Sequence, residues 1–62
     1  MNQIKIGKFI AECRKKNNLT QMQLAEKLNI TDRAISKWEN GKGMPSIDYI
    51  VLLAKTFNVF SN

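Results

Sequence analysis

Apolar residues recur along this chain at spacings of three and four, and each run opens just behind a residue suited to cap a helix. Ile6, Phe9, Ile10 and Cys13 follow an i, i+3, i+4, i+7 pattern, which predicts a helix over 4–17 with one apolar stripe. Lys5, Lys8, Glu12, Lys15 and Lys16 fall off that stripe, and basic residues crowd the last turn, where the helix dipole favours cations. Asn17-Asn18 breaks the pattern, because asparagine tolerates the left-handed backbone that ends helices. A second helix opens at Thr20, which forms a capping box with Gln23, while Leu19 and Leu24 stand where a hydrophobic staple clamps the entrance. Leu24, Ala25 and Leu28 supply its buried face, and it ends at Leu28 or Asn29.

The third segment repeats this grammar. Thr31 is its cap, Asp32 lies in the first turn, Ile30 can staple to Ile35, and Ile35 and Trp38 share the buried face. Gly41 stops it. Only Ile30 separates Asn29 from the cap Thr31, so the chain must turn sharply there, with Asn29 in the left-handed conformation glycine more often adopts. Pro45 closes the next loop and Ser46 caps a fourth helix, whose expected inward face is Ile47, Ile50, Leu53, Ala54 and Phe57. Val59 and Phe60 are expected to fold back on the core. No strand pattern competes, and no repeat or low-complexity tract appears.

Length and composition narrow the reading. Sixty-two residues make one domain, 1–62, small enough to need an efficient core. The apolar share of 44% suits a globular chain. One cysteine cannot form an internal disulfide, and with no histidine the usual zinc sites are excluded. Packing alone must hold the fold, in keeping with a reducing cytoplasm. The N-terminus carries no run of signal-peptide length, and the Ile50–Ala54 stretch is far too short to span a bilayer. Neither a cofactor nor enzymatic activity is expected: there is no histidine base, no phosphate-binding glycine loop and no acid pair with an evident shared site. Cys13 has no base to activate it, and its place on the apolar stripe marks a core residue. Met22 and Met44 read as gap-fillers rather than ligands.

Ten Lys and Arg against five Asp and Glu give a net charge of +5 and an isoelectric point near 9.7. Such a field attracts polyanions, although it also serves solubility. Because the cations are spread over several helices, a membrane-surface role is disfavoured. On the third helix, Asp32, Arg33, Ser36 and Lys37 stay free of the apolar underside. Arg33 and Lys37, four apart, share a face and carry donors that can reach guanine N7 and O6.

The segment Leu19-Thr20-Gln21-Met22-Gln23-Leu24-Ala25 through Trp38-Glu39-Asn40-Gly41, with Pro45-Ser46-Ile47 and Leu53-Ala54, resembles the lambda-repressor/Cro-like helix-turn-helix family, also called the XRE family. The resemblance spans nearly the whole chain. It departs at Asn29, where many relatives have glycine, and at Asn62, where the chain stops although the family often adds a fifth helix. The chain is therefore either short of a terminal element or the front part of a longer protein. The resemblance implies an all-α, compact four- to five-helix lambda-repressor-like DNA-binding domain with a central helix-turn-helix at about 21–40. It implies sequence-specific binding of double-stranded DNA by a bacterial or phage transcriptional regulator, cytoplasmic and at the nucleoid, with helix 31–39 in the major groove. A homodimer on a near-palindromic operator is expected, since one module offers few base contacts.

Under that resemblance Arg33 and Lys37 contact bases or phosphates. Asp32 has three roles open to it: accepting from a cytosine amino group, stabilising the first turn, or orienting Arg33. Ser36 reaches a base or a phosphate. Thr31 is chiefly a cap whose amide and hydroxyl also suit a phosphate. In the family, the glutamine at the position of Gln21 binds backbone phosphate and often braces the recognition helix. Asn40 and Lys42, with Lys37, clamp the phosphate strand beyond it. Arg14 and Glu39 match a structural ion pair that fixes where the recognition helix sits. The alternative reading is an antitoxin-like protein-interaction module that also binds its own operator. It predicts an exposed apolar patch around Val59 and Phe60.

Overall fold

The computed structural model describes residues 2–58, and among these the chain forms α1 (Gln3–Lys16), α2 (Gln21–Leu28), α3 (Asp32–Glu39) and α4 (Ile47–Phe57), with no strand. Each helix starts on a side-chain cap. Asn2 Oδ1 accepts from the amides of Ile4 (2.9 Å) and Lys5 (3.1 Å), which starts α1 one residue earlier than the stripe alone suggests. Thr20 and Gln23 form both halves of the capping box: the Gln23 amide donates to Thr20 Oγ1 at 3.0 Å and the Thr20 amide to Gln23 Oε1 at 2.8 Å. Thr31 and Ser46 cap α3 and α4 through the amides of Ala34 and Tyr49.

The first three helices also end alike. Asn18, Asn29 and Gly41 hold φ of 58°, 57° and 70°. The next residue then donates back across the turn: Leu19 to the Arg14 carbonyl (3.1 Å), Ile30 to Ala25 (3.0 Å) and Lys42 to Lys37 (2.9 Å). These bonds satisfy carbonyls that the helix ends would otherwise leave open. Leu19 and Ile30 are at the same time carried onto the core, where both pack half-buried.

The core is Ile10, Leu24, Ala25, Leu28, Ile35, Trp38 and Leu53, with Leu24 and Ile35 wholly enclosed. α3 packs chiefly against α1 and α2, and α4 closes the assembly with smaller contacts to both. Trp38 meets Tyr49 of α4 with ring centroids 5.6 Å apart and planes tilted by 49°. Closest approach falls at Gly7: a Cβ there would overlap the Trp38 carbonyl oxygen, so the backbone of α1 rests directly on the end of α3.

That contact rolls α1 away from the expected stripe. Gly7, Ile10 and Cys13 face inward, Ile6 is half-buried, and Phe9, expected in the core, is 53% exposed. Ile47, also expected inward, is 69% exposed. At 100° per residue it stands roughly 70° from the middle of the arc formed by Ile50, Leu53, Ala54 and Phe57, outside that arc. Met22 fills no gap: it lies off the Leu24–Ala25–Leu28 face and is 60% exposed. Met44 is half-buried. Between α1 and α4 runs an apolar groove of about 370 Å³, walled by Phe9, Ile10, Pro45, Ile50, Ala54 and Phe57 among others. Val59 and Phe60, expected to return to the core and to mark an apolar patch, lie outside the described residues.

Candidate nucleic-acid interface

α3 buries Ile35 and Trp38 and turns its opposite face to solvent. On that side Thr31, Arg33, Ala34, Ser36, Lys37, Asn40 and Lys42 line a shallow open depression of about 680 Å³. It gathers three cations and no carboxylate. Asp32 is exposed but is not part of its lining. Six of the eight residues singled out for DNA contact from the sequence thus share one surface, because α3 has only one face free of packing.

Side-chain hydrogen bonds constrain parts of this surface. Thr31 Oγ1 accepts from the Ala34 amide at 3.3 Å. Asn40 folds back over its own helix, its Nδ2 donating to the Ser36 carbonyl (2.8 Å) and to Ser36 Oγ (3.2 Å). Arg33, Lys37 and Lys42 are exposed, as a polyanion site requires.

Behind the surface lies a second polar group. Arg14 of α1 donates through Nε to Glu39 Oε2 (2.7 Å), through Nη2 to Glu39 Oε1 (3.0 Å) and through Nη1 to the Leu19 carbonyl (2.8 Å). Gln21, at the first position of α2, donates from Nε2 to Glu39 Oε1 at 3.0 Å. The Arg14 and Glu39 side chains retain only 12% and 7% of their exposure. The hydrogen bond to Glu39 raises the Arg14 guanidinium further above its already high pKa, so the cation is permanent. One carboxylate near the C-terminus of α3 is therefore tied to α1 and α2 at once. Gln21 thus braces α3 with one amide hydrogen, and among the described residues its other amide hydrogen has no acceptor.

Three contributors were not singled out from the sequence: Gly7, Tyr49 and the Leu19 carbonyl. Gly7 had a signal, since a glycine inside a helical stripe marks a close backbone approach. The other two depend on tertiary placement. Among the described residues, no group of three His, Cys, Asp or Glu could hold a metal ion, and no helix is long and apolar enough to cross a membrane.

A family profile described as helix-turn-helix matches residues 10–59, which covers α2, α3 and their connection with the second half of α1 and all of α4. The chain belongs to the helix-turn-helix family. Its type is that of the XRE group, as the Thr-Gln and Trp-Glu-Asn-Gly segments indicate. It is 46% identical over 50 residues to the HTH-type transcriptional activator BcrR of Enterococcus faecalis, covering 81% of this chain and 24% of that protein. It is 37% identical over 54 residues to antitoxin PezA of Streptococcus pneumoniae (87% of this chain, 34% of that one). To the cryptic phage CTXphi transcriptional repressor RstR of Vibrio cholerae it is 32% identical over 56 residues (90% and 50%). The chain thus spans between a quarter and half the length of these relatives. No solved structure gives a significant match.

Proposed function

We propose that this helix-turn-helix chain binds double-stranded DNA sequence-specifically, as a bacterial or phage transcriptional regulator or the DNA-reading part of one. The observation that carries the reading is the depression on α3, where Arg33, Lys37 and Lys42 stand around Ser36 and Asn40 on a helix fixed from behind. A helix fits a major groove about 12 Å wide. Arg33 and Lys37 meet base edges or phosphates there, and Ser36 lies between them. Lys42 and Thr31 hold the phosphate strand at the two ends of α3, and the spare amide hydrogen of Gln21 serves the same strand at the start of α2. Asp32, at the rim, stabilises the first turn or orients Arg33. Relatives named activator, repressor and regulator support this reading.

One module makes few base contacts, so the working form is a homodimer on a near-palindromic site, in the cytoplasm and at the nucleoid, with no catalytic role. The test is selection from a random duplex library, repeated with Lys37→Ala. A single motif with two-fold symmetry, losing one base preference in the variant, is the expected result. Affinity for that motif should fall about a hundredfold or more as salt rises from 50 to 200 mM. Salt-independent affinity, or no enriched sequence, refutes the proposal.

A second reading, a module that grips a partner protein, has the α1–α4 groove and the antitoxin relative in its favour. Phe9→Ser separates the two: it should leave operator binding intact and release any partner seated on the groove.

A further inference from the structure

Asn40 occupies one of the two lone pairs of the Ser36 hydroxyl on the reading face, which biases that hydroxyl toward donating. Asn40 Nδ2 lies 2.8 Å from the Ser36 carbonyl, an oxygen that can only accept. The amide is therefore oriented with its nitrogen toward Ser36. The same nitrogen lies 3.2 Å from Ser36 Oγ and has no lone pair to offer, so Oγ accepts there too. A helical serine commonly turns its hydroxyl onto the carbonyl four residues back. Ser36 makes no such bond to Asp32, and among the described residues its hydroxyl hydrogen has no acceptor. The hydrogen is left for whatever enters the depression that Ser36 lines.

We infer that Asn40 acts as a positioning residue for base specificity, holding Ser36 as a hydrogen-bond donor that selects an acceptor-bearing base edge, guanine O6/N7 or thymine O4, and disfavours cytosine. The inference rests on the DNA-binding reading above and deepens it. Arg33 and Lys37, which flank Ser36 in the same depression, carry donors only. The middle of the reading face therefore presents mainly hydrogens, and the base that best matches such a surface is guanine, with two acceptors in the major groove. A hydroxyl that accepts one bond also donates a stronger one, so the Asn40 contact sharpens the preference as well as setting its sign. Asn40 acts here through Ser36 rather than as a phosphate clamp, since its amide nitrogen is already committed to its own helix.

The experiment is base-preference profiling on the motif selected by the unmodified chain, with Ser36→Ala, Asn40→Ala, Asn40→Asp and the Ser36→Ala/Asn40→Ala double variant. Helicity and melting of each are checked by circular dichroism. Ser36→Ala should erase an acceptor-base preference of about fivefold at one position of each half-site. Asn40→Ala should weaken the preference at that same position and change nothing further once Ser36 is alanine. In Asn40→Asp the carboxylate can only accept, so the Ser36 hydrogen turns to it and the preference should move toward cytosine or adenine. If Asn40→Asp binds too weakly to profile, the alanine pair decides. Variants that lower affinity evenly across sequences, with the base profile unchanged, overturn the inference. Failure of the unmodified chain to select any motif instead overturns the DNA-binding reading itself.

Discussion

At the scale of single residues, two positions behave against their usual rules. Glycine inside a helix is ordinarily worth replacing, since alanine gains about 1 kcal/mol from helix propensity. At Gly7 the sign reverses, because the added methyl would meet the backbone oxygen of Trp38, which no side-chain rotation can move aside. Overpacking costs about 1–3 kcal/mol, and overlap with rigid backbone puts Gly7 at the upper end of that range, which outweighs the propensity gain. Gly7→Ala should therefore lower the melting temperature by roughly 5–10 °C, and an unchanged or raised value would show that α1 does not rest on α3 there. The second position is Cys13. Burial pushes its thiol above the ordinary 9.0, with Glu12 adding to the rise and Lys16 opposing it. The folded state thus holds this proton more tightly than the unfolded one. The associated stability is complete below about pH 9 and is lost as pH rises through the folded value. Melting temperature should fall more steeply above pH 9 for the unmodified chain than for Cys13→Ala. Equal slopes would remove the thiol from the account.

At the scale of elements, the boundaries are local chemistry and were legible as such. Thr20, Thr31 and Ser46 cap where their hydroxyls predict, and Asn29 takes the left-handed turn between α2 and α3. Faces were less legible. Periodicity gives the direction of a stripe only to within about one residue, and it ranks Phe9 and Ile47 as core because it counts apolarity and not approach. The roll of α1 is decided by Gly7, which carries no hydrophobic weight at all. The site divides the same way. A shared outward face for Arg33, Ser36 and Lys37 follows from helical spacing, whereas the Asn40–Ser36 bonds do not, since residues four apart can equally both face water. Asn29 provides a test of the element grammar. Its φ of 57° costs an alanine about 1 kcal/mol and a glycine nothing, and its side chain is exposed. The urea midpoint should fall for Asn29→Ala and hold or rise for Asn29→Gly. A glycine variant as unstable as the alanine one would mean that the side chain, and not the backbone, sets this turn.

At the scale of the whole molecule, a small core must hold α3 in one orientation, and apolar packing alone specifies orientation poorly. The Glu39 carboxylate supplies what packing lacks: it is held by Arg14 from α1 and by Gln21 from α2, a three-point fixture with little exposure to water. Removing one partner of such a pair strands a partly buried charge, and a cost approaching the roughly 3 kcal/mol of a fully buried one is a large share of what a domain this size has to spare. Arg14→Ala should consequently lose most of its folding stability in a urea titration. Replacing both charges with apolar groups of similar volume, Arg14→Met with Glu39→Met, removes the desolvation penalty along with the attraction and should restore stability to within about 1 kcal/mol. Under the proposed function the restored variant should still bind its DNA site at least tenfold more weakly than the unmodified chain, because α3 is then packed without being aimed. Full affinity in a stable double variant would mean that the apolar underside of Ile35 and Trp38 orients the helix unaided, and that the ion pair adds neither net stability nor alignment.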